Sequence, residues 1–304
     1  MEDPRPLISI VICCHNRVDY LPKALDSALK QTYPNTEIVL YDDGSTDETP
    51  QLAASYRDQI NYVRNENTGI AVARTKSCLH AKGDYIAFLD DDDIMPPDRL
   101  ATLFQALQEH PDARFAVGDL AIIDQYGKIV RSPVIDQTAP QIFADGLEAV
   151  LWPKVPATVH TTLFRRSDGE NIGWFDGSFD GAGEDKDFFC RLAEGNEIVY
   201  VPQIVSLYRR GHESLTNQPA PKVLLAQARI FGNYLGHPDL NPSLRKRVKS
   251  RLRYTLKELD QYRSDMNVEL IFGHYMRLLT FGDKASVQWY RFKQLVKKIL
   301  HPLT

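Results

Sequence analysis

Residues 84–93 read DYIAFLDDDD. The run Asp84–Leu89 is apolar, short and without the alternation of a half-exposed strand, so it predicts a strand buried on both faces. Four consecutive aspartates follow it, Asp90, Asp91, Asp92 and Asp93. Carboxylates this close repel one another, and the repulsion pushes some of their pKa values up. A hard divalent ion removes that penalty, and Mg2+ or Mn2+ prefers carboxylate and phosphate oxygens. The other reading of these residues is a solvated acidic turn that caps the helix starting near Pro97.

Upstream, the pattern alternates. Leu7–Cys13 (LISIVIC) reads as a second buried strand. Asp19–Gln31 then sets Leu21, Ala24, Leu25, Ala28 and Leu29 on one helical face. Thr36–Tyr41 reads as a strand, Gln51–Asp58 as a helix, Ile60–Val63 as a short strand and Gly69–Lys82 as a helix. Strand and helix in alternation predict an α/β domain, with a mostly parallel, Rossmann-like sheet flanked by helices and right-handed crossovers. Downstream, strands are expected at Arg114–Gly118, Ala121–Ile123 and Lys128–Val134. Residues 135–183 are rich in Pro, Gly and Asp and are expected to wrap over the sheet. Asp185–Glu194 reads as a helix, and Glu197–Val201 and Ile204–Tyr208 as strands. From about residue 220 the pattern is helical to the end, broken near Gly236–Pro242. The expected organisation is one domain over residues 1–216 and a basic helical extension over residues 217–304.

Composition narrows the function classes. The chain has 304 residues, 43% apolar and 25% charged, which suits a globular protein with a sizeable core. It has no apolar stretch long enough to span a membrane. The first residues, MEDPRPLISIVICC, lack the basic leader and cleavage site of a signal peptide. Cys13, Cys14, Cys78 and Cys190 show no C-x-x-C spacing, which points to neither a zinc site nor a disulfide framework. The expected location is the cytoplasm, with peripheral contact at the inner membrane face. Residues 221–304 carry 16 Lys and Arg against 6 Asp and Glu, whereas residues 1–220 carry 20 against 34. An acidic body argues against nucleic acid as a partner, and the basic tail suggests an anionic one.

In open parallel sheets, ligands bind beyond the carboxyl ends of the strands. The acidic run Asp90–Asp93 sits at such an end, and so does the loop Asp42-Asp43-Gly44-Ser45-Thr46-Asp47. Asp and Ser are also good turn formers, so this loop by itself is open to a purely structural reading.

The stretches SIVICCHNRVDYLPKALDSALKQTYPNTEIVLYDDGSTDET, NTGIAVARTKSCLHAKGDYIAFLDDDDIMPPDRL, GWFDGSFDGAGEDKDFFCRL and YRRGHESLT carry a resemblance. Over roughly residues 7–216 the chain resembles the family 2 glycosyltransferases of the GT-A fold. That resemblance implies transfer of a sugar from a nucleotide-diphosphate donor to an acceptor hydroxyl, with inversion and with Mn2+ or Mg2+ as cofactor. It puts Cys13 and His15 against the nucleotide base, and Asp43, with Asp42 beside it, at the base-binding position. Arg74 falls in the segment that approaches the base or phosphates. Asp90, Asp91 and Asp92 cover the D-x-D region, with Asp92 on the metal and Asp91 nearer the ribose. Asp185 matches the catalytic base, and His212 a diphosphate or metal contact. The acceptors implied are glycans or lipid-linked saccharides in surface polysaccharide assembly.

The chemistry is consistent with these roles. A metal bridging two phosphates stabilises the leaving nucleoside diphosphate, and Arg74 and Arg210 add positive charge. A carboxylate within hydrogen-bond reach accepts the proton of the attacking hydroxyl. Bland readings stand beside them. Asp185 and Asp187 both suit the first turn of a helix. His212 can be a surface histidine, and His160 either faces the acceptor or is satisfied within the sheet.

The rival function is a nucleotide-sugar-binding regulatory or scaffold subunit without turnover. A hydride-transfer enzyme is disfavoured because CCHNRVDY follows the first strand where G-x-G-x-x-G is needed. A nucleotidyltransferase is disfavoured because no glycine-rich, lysine-bearing loop follows it. In the tail, Arg245–Arg253 is basic, and Gln288–Leu300 mixes Trp289, Tyr290 and Phe292 with lysines. The second segment reads either as an interfacial membrane helix or as a packing helix in a homodimer.

Overall fold

The computed structural model describes residues 5–135, 138–179, 181–211 and 219–262. The chain divides into two compact units, Met1–Ser214 and Leu215–Thr304.

In the first unit the apolar runs form the strands that buried surface demands. β1 (Ile8–Cys14), β2 (Thr36–Asp42), β3 (Asn61–Arg64) and β4 (Tyr85–Phe88) pair in parallel, in the order β3-β2-β1-β4. Between them run α1 (Leu21–Leu29), α2 (Thr49–Ser55) and α3 (Ile70–Leu79). Pro22 and Pro50 sit in the first turns of α1 and α2, where a missing N–H costs nothing. α1 buries Leu21, Ala24, Leu25 and Ala28 as its spacing predicts, whereas Leu29, expected on the same face, is 38% exposed at the end of the helix. Leu21, Ala24, Leu25 and Ala28 join Ile8, Ile10 and Ile12 of β1 and Leu100, Leu103 and Leu107 of α4 (Arg99–Glu109) in an aliphatic cluster.

The rest of the sheet departs from expectation in two places. β5 is a single strand, Phe115–Ile123, and β9 is a single strand, Ile198–Arg209. Each had been expected as two. Their parallel register steps from Gly118 opposite Val201 to Asp119 opposite Ile204, so Pro202 and Gln203 bulge out. Pro202 has no N–H for the ladder, and a bulge tolerates it where a regular central strand does not. The second departure is a correction. Residues 135–183 do more than wrap over the sheet, because β8 (Thr162–Arg165) inserts between β4 and β5, antiparallel to both. Leu163 and Phe164 are fully buried there.

The short strands β6 (Ile129–Arg131) and β7 (Gln141–Phe143) pair with β5 and β9. The full order is β3-β2-β1-β4-β8-β5-β9-β7, with β6 alongside β5. α5 (Gly146–Leu151), α6 (Arg166–Ile172) and α7 (Glu184–Ala193) complete the unit. On this side the core is aromatic. Phe164 touches Phe88, Phe188, Phe189 and Trp174, and Phe175 stacks on Phe188 at 4.3 Å. Each fully buried Phe contributes about 1.5–3 kcal/mol. Phe188 and Phe189 therefore fix α7 and the acidic residues of its first turn.

In the second unit α8 (Ala220–Leu235) and α9 (Pro242–Leu259) pack on each other. The break between them follows its sequence signals. Asn241 Oδ1 accepts the Leu244 N–H at 2.7 Å, and Pro242 occupies the first turn. Arg245 donates to the Leu235 and His237 carbonyls at 2.7 and 2.6 Å, which satisfies the end of α8. Among the described residues no helix is long and apolar enough to cross a membrane. Residues 288–300, read above as an interfacial or packing helix, lie outside the described residues.

Candidate active site

The parallel register brings the carboxyl ends of β1, β2 and β4 to one edge, with Cys14 opposite Asp42 and Val11 opposite Phe88. The loops that leave this edge carry His15, Asp42-Asp43 and Asp90–Asp93.

Asp42 is fully buried. Its Oδ1 accepts the Ser45 N–H at 2.7 Å, its Oδ2 accepts the Tyr62 hydroxyl at 2.7 Å, and Arg64 lies 3.4 Å away. Both oxygens are thus engaged in shaping the loop. Asp43 reaches the segment before α3 instead. Its Oδ1 accepts from the Thr68 N–H at 2.9 Å and the Thr68 hydroxyl at 3.0 Å, and its Oδ2 from the Gly69 N–H at 3.0 Å. His15 Nδ1 donates to the Asp43 carbonyl at 2.9 Å, and Asn67 lies against the same ring. Beside them an open recess is lined by Gly44, Arg64, Asn65, Glu66 and Asn67. Cys13 sits below, its Sγ 3.4 Å from Ser77 Oγ, and burial pushes its thiol up to about 12. A thiol in that state is neutral at physiological pH and carries no nucleophilic role.

Arg74 is buried and bridges two elements. Its Nη2 donates to Asp90 Oδ1 at 2.9 Å and its Nη1 to Glu184 Oε1 at 2.8 Å. Its guanidinium also lies 5.8 Å from the Phe175 ring centre. Burial opposes its charge, but Asp90, Glu184 and Asp185 together hold its pKa above the ordinary value. Asp185 adjoins Glu184 in the first turn of α7 (Glu184–Ala193).

The acidic loop divides into inward and outward residues. Asp93 is fully buried, with Oδ2 accepting from His160 Nδ1 at 2.6 Å and Oδ1 from the Arg209 N–H at 2.8 Å. Burial lifts Asp93 to about 6 even with His160 beside it. Arg209 Nε also donates to the Asp92 carbonyl at 2.8 Å, so the end of β9 grips the loop by two successive residues. Asp91 is 14% exposed and 3.9 Å from Arg17. Burial, then Asp92, holds its carboxyl well above the usual carboxylate range, with Arg17 opposing. An oxygen-rich loop with negative charge not fully compensated fits a hard divalent cation. Among the described residues Asp90, Asp93 and His160 present ligand atoms within 4.8 Å of one another. The buried bond between Asp93 and His160 makes that pair the support of the loop and leaves Asp90, Asp91 and Asp92 as its less buried side.

At the start of α7, Glu184 meets Arg74 while Asp185 Oδ1 accepts the Lys186 N–H at 2.6 Å. Asp187 pairs with Arg191 one turn on, at 2.7 Å. Arg191 in turn donates to the carbonyls of Ile172 and Trp174 at 3.0 and 2.7 Å. Asp187 therefore belongs to the packing of α7.

The family model described as Glycosyl transferase family 2 matches residues 9–173, more than half of the chain. The chain belongs to glycosyltransferase family 2. It is 30% identical to an uncharacterized glycosyltransferase of Rickettsia typhi, over 98% of this chain and 91% of that relative. It is 40% identical to the glycosyltransferase GlyG of Streptococcus pneumoniae, over 39% of this chain and 40% of that one. A crystal structure of S. aureus TarS residues 1–349 in complex with UDP-GlcNAc matches with a TM-score of 0.66 at 18% identity, covering 88% of this chain and 79% of that one. At that identity the likeness establishes the GT-A fold.

Within this glycosyltransferase fold, His15, Asp43, Asp90, Asp91 and Asp92 lie on loops at the sheet edge, Asp185 lies in the first turn of α7, and Arg74 stands midway along α3, from which it reaches Asp90 and Glu184. His212 lies outside the described residues. Sequence reasoning did not pick out Glu184 as the partner of Arg74, nor Arg209 and Asp93 as the grip on the acidic loop. Glu184 directly precedes Asp185 and Arg209 stands in YRRGH, so the motifs contained both. His160, left open between two roles, is buried against Asp93 and edge-on to Tyr208 at 4.9 Å.

Proposed function

We propose that this glycosyltransferase moves a sugar from a nucleoside diphosphate to an acceptor hydroxyl, inverting the anomeric centre and depending on Mn2+ or Mg2+. The observation that carries the reading is the Arg74 bridge. It joins Asp90 at the end of β4 to Glu184 at the start of α7, 2.9 and 2.8 Å away. A donor-binding loop and a carboxylate for the acceptor are thereby held in one cluster, which transfer in a single displacement requires.

In this reading the recess beside Asp43, His15 and Cys13 receives the base, and Asp91 lies toward the ribose. Asp92 would hold the cation, with His212 added by the family resemblance. When bound, the cation neutralises charge that develops on the leaving diphosphate. Asp185 accepts the proton of the acceptor hydroxyl as its oxygen bonds to the anomeric carbon and the bond to the diphosphate oxygen breaks. Asp42 supports the base loop from beneath. The TarS complex with UDP-GlcNAc supports a nucleotide sugar as the donor class. The acceptor is a glycan or a lipid-linked saccharide, which suits a role in surface polysaccharide assembly at the cytoplasmic face of the inner membrane.

Equilibrium binding of UDP and GDP with Mn2+, Mg2+ or EDTA tests the donor half. Wild-type protein is expected to bind one nucleoside diphosphate at least about tenfold more tightly with the metal than without it, and Asp92→Ala to lose that difference. Equal affinity in EDTA overturns the metal assignment.

A further inference from the structure

α9 has two faces of opposite character. Leu244, Val248, Leu252, Leu256 and Leu259 are buried at the i, i+4 spacing of one helical face. From Arg245 to Lys257 the helix carries seven Lys and Arg and no Asp or Glu. Arg245 is committed to the carbonyls that end α8. Of the others, Lys246, Arg251, Arg253 and Lys257 are exposed, Arg251 to one side and the remaining three in a row. At about 100° per residue they fall within about 40° of one another, on the side opposite the leucines. They stretch over about 17 Å of helix. Tyr254 flanks the row and is 54% exposed, with the Arg251 guanidinium 5.3 Å from its ring centre. No carboxylate on the helix interrupts the row, although i, i+4 acidic partners are the usual companions of lysine on a merely solvated helix.

We infer that this outward face of α9 is a docking surface for an anionic lipid bilayer. A straight row of cations matches a planar anionic surface, and an exposed aromatic beside it suits the headgroup layer. Each juxtamembrane Lys or Arg strengthens attachment about fivefold. The inference deepens the proposed placement beside a lipid-linked acceptor and rests on that reading only for its purpose. It uses residues distinct from the candidate active site, and its test reads binding without turnover.

The test is co-sedimentation of the full chain with vesicles of phosphatidylcholine alone or mixed with phosphatidylglycerol. Wild-type protein is expected to pellet with the anionic vesicles only, and less so as salt rises. Lys246→Glu/Arg253→Glu/Lys257→Glu is expected to weaken that partitioning at least about tenfold. The corresponding Gln triple is expected to weaken it less, and it serves if the charge reversal disturbs folding. Circular dichroism melting checks both variants. Wild-type protein that stays in solution with both vesicle types overturns the inference, as does a triple variant that pellets like the wild type. Sedimentation velocity without lipid supplies the remaining outcome. A wild-type dimer that the triple variant loses assigns the face to a second copy of the chain and overturns the bilayer.

Discussion

Arg74 is the residue on which the candidate site depends most. Removing its side chain leaves Asp90 and Glu184 close together without their shared cation, and breaking a buried pair in this way costs about 3–5 kcal/mol. Arg74→Ala is therefore expected to lower stability in urea unfolding by about that amount. Arg74→Lys is expected to recover only part of it, since one ammonium cannot reproduce a two-armed bridge. Asp185→Asn is expected to slow transfer by about 100-fold or more while nucleotide affinity stays within about twofold, the signature of a group that acts on the acceptor. Asp187→Asn, by contrast, is expected to shift the unfolding midpoint and leave the catalytic step in place, because Asp187 is bonded to Arg191. If Asp187→Asn is inactive and Asp185→Asn active, the assignment of the base is reversed. The sequence named Arg74 and Asp185 through motif, and set Asp187 beside Asp185 only as a second acid suited to the first turn of a helix. What separates the two carboxylates is that Asp187 is bonded to Arg191 one turn on, whereas Glu184, beside Asp185, meets Arg74 across 110 positions of chain, a contact that local pattern does not carry.

At the scale of elements, the loops at the sheet edge are held by backbone geometry as much as by side chains. Gly44 has φ +81°, and a Cβ there would stand 2.6 Å from the Asn67 backbone nitrogen. Gly44→Ala is expected to cost about 1–3 kcal/mol and to weaken nucleoside-diphosphate binding, as both strain and clash fall on the base recess. Thermal melts with and without UDP or GDP check this. A variant with unchanged affinity would separate the recess from donor binding. The strands β1, β2 and β4 were legible because they are buried on both faces and read as continuous apolar runs. β8 was hidden, because four residues in a Pro- and Gly-rich stretch carry no period and their place in the sheet comes from long-range pairing with β4 and β5. β5 and β9 were each read as two strands, parted at Asp119-Leu120 and at Pro202-Gln203, whereas the sheet absorbs both interruptions as shifts of register.

At the scale of the molecule, the charge asymmetry of the sequence, basic beyond residue 220 and acidic before it, coincides with a change from sheet to helices. The family itself was legible because its motifs sit at strand ends, where chemistry fixes residue type. The cross-links that hold those ends together were not. The central claim is that the clustered carboxylates turn over a nucleotide sugar, and release of nucleoside diphosphate tests it most directly. Wild-type protein would be incubated with UDP-, GDP- and dTDP-sugars and glycan or lipid-linked acceptors, in Mn2+, Mg2+ or EDTA. The expected result is release from at least one donor, dependent on the divalent cation and reduced about 100-fold or more in Asp185→Asn that still binds the nucleotide. Undiminished release in EDTA, release by Asp185→Asn at the wild-type rate, or tight nucleotide-sugar binding with no release from any donor would contradict it, the last pointing to a binding subunit without turnover.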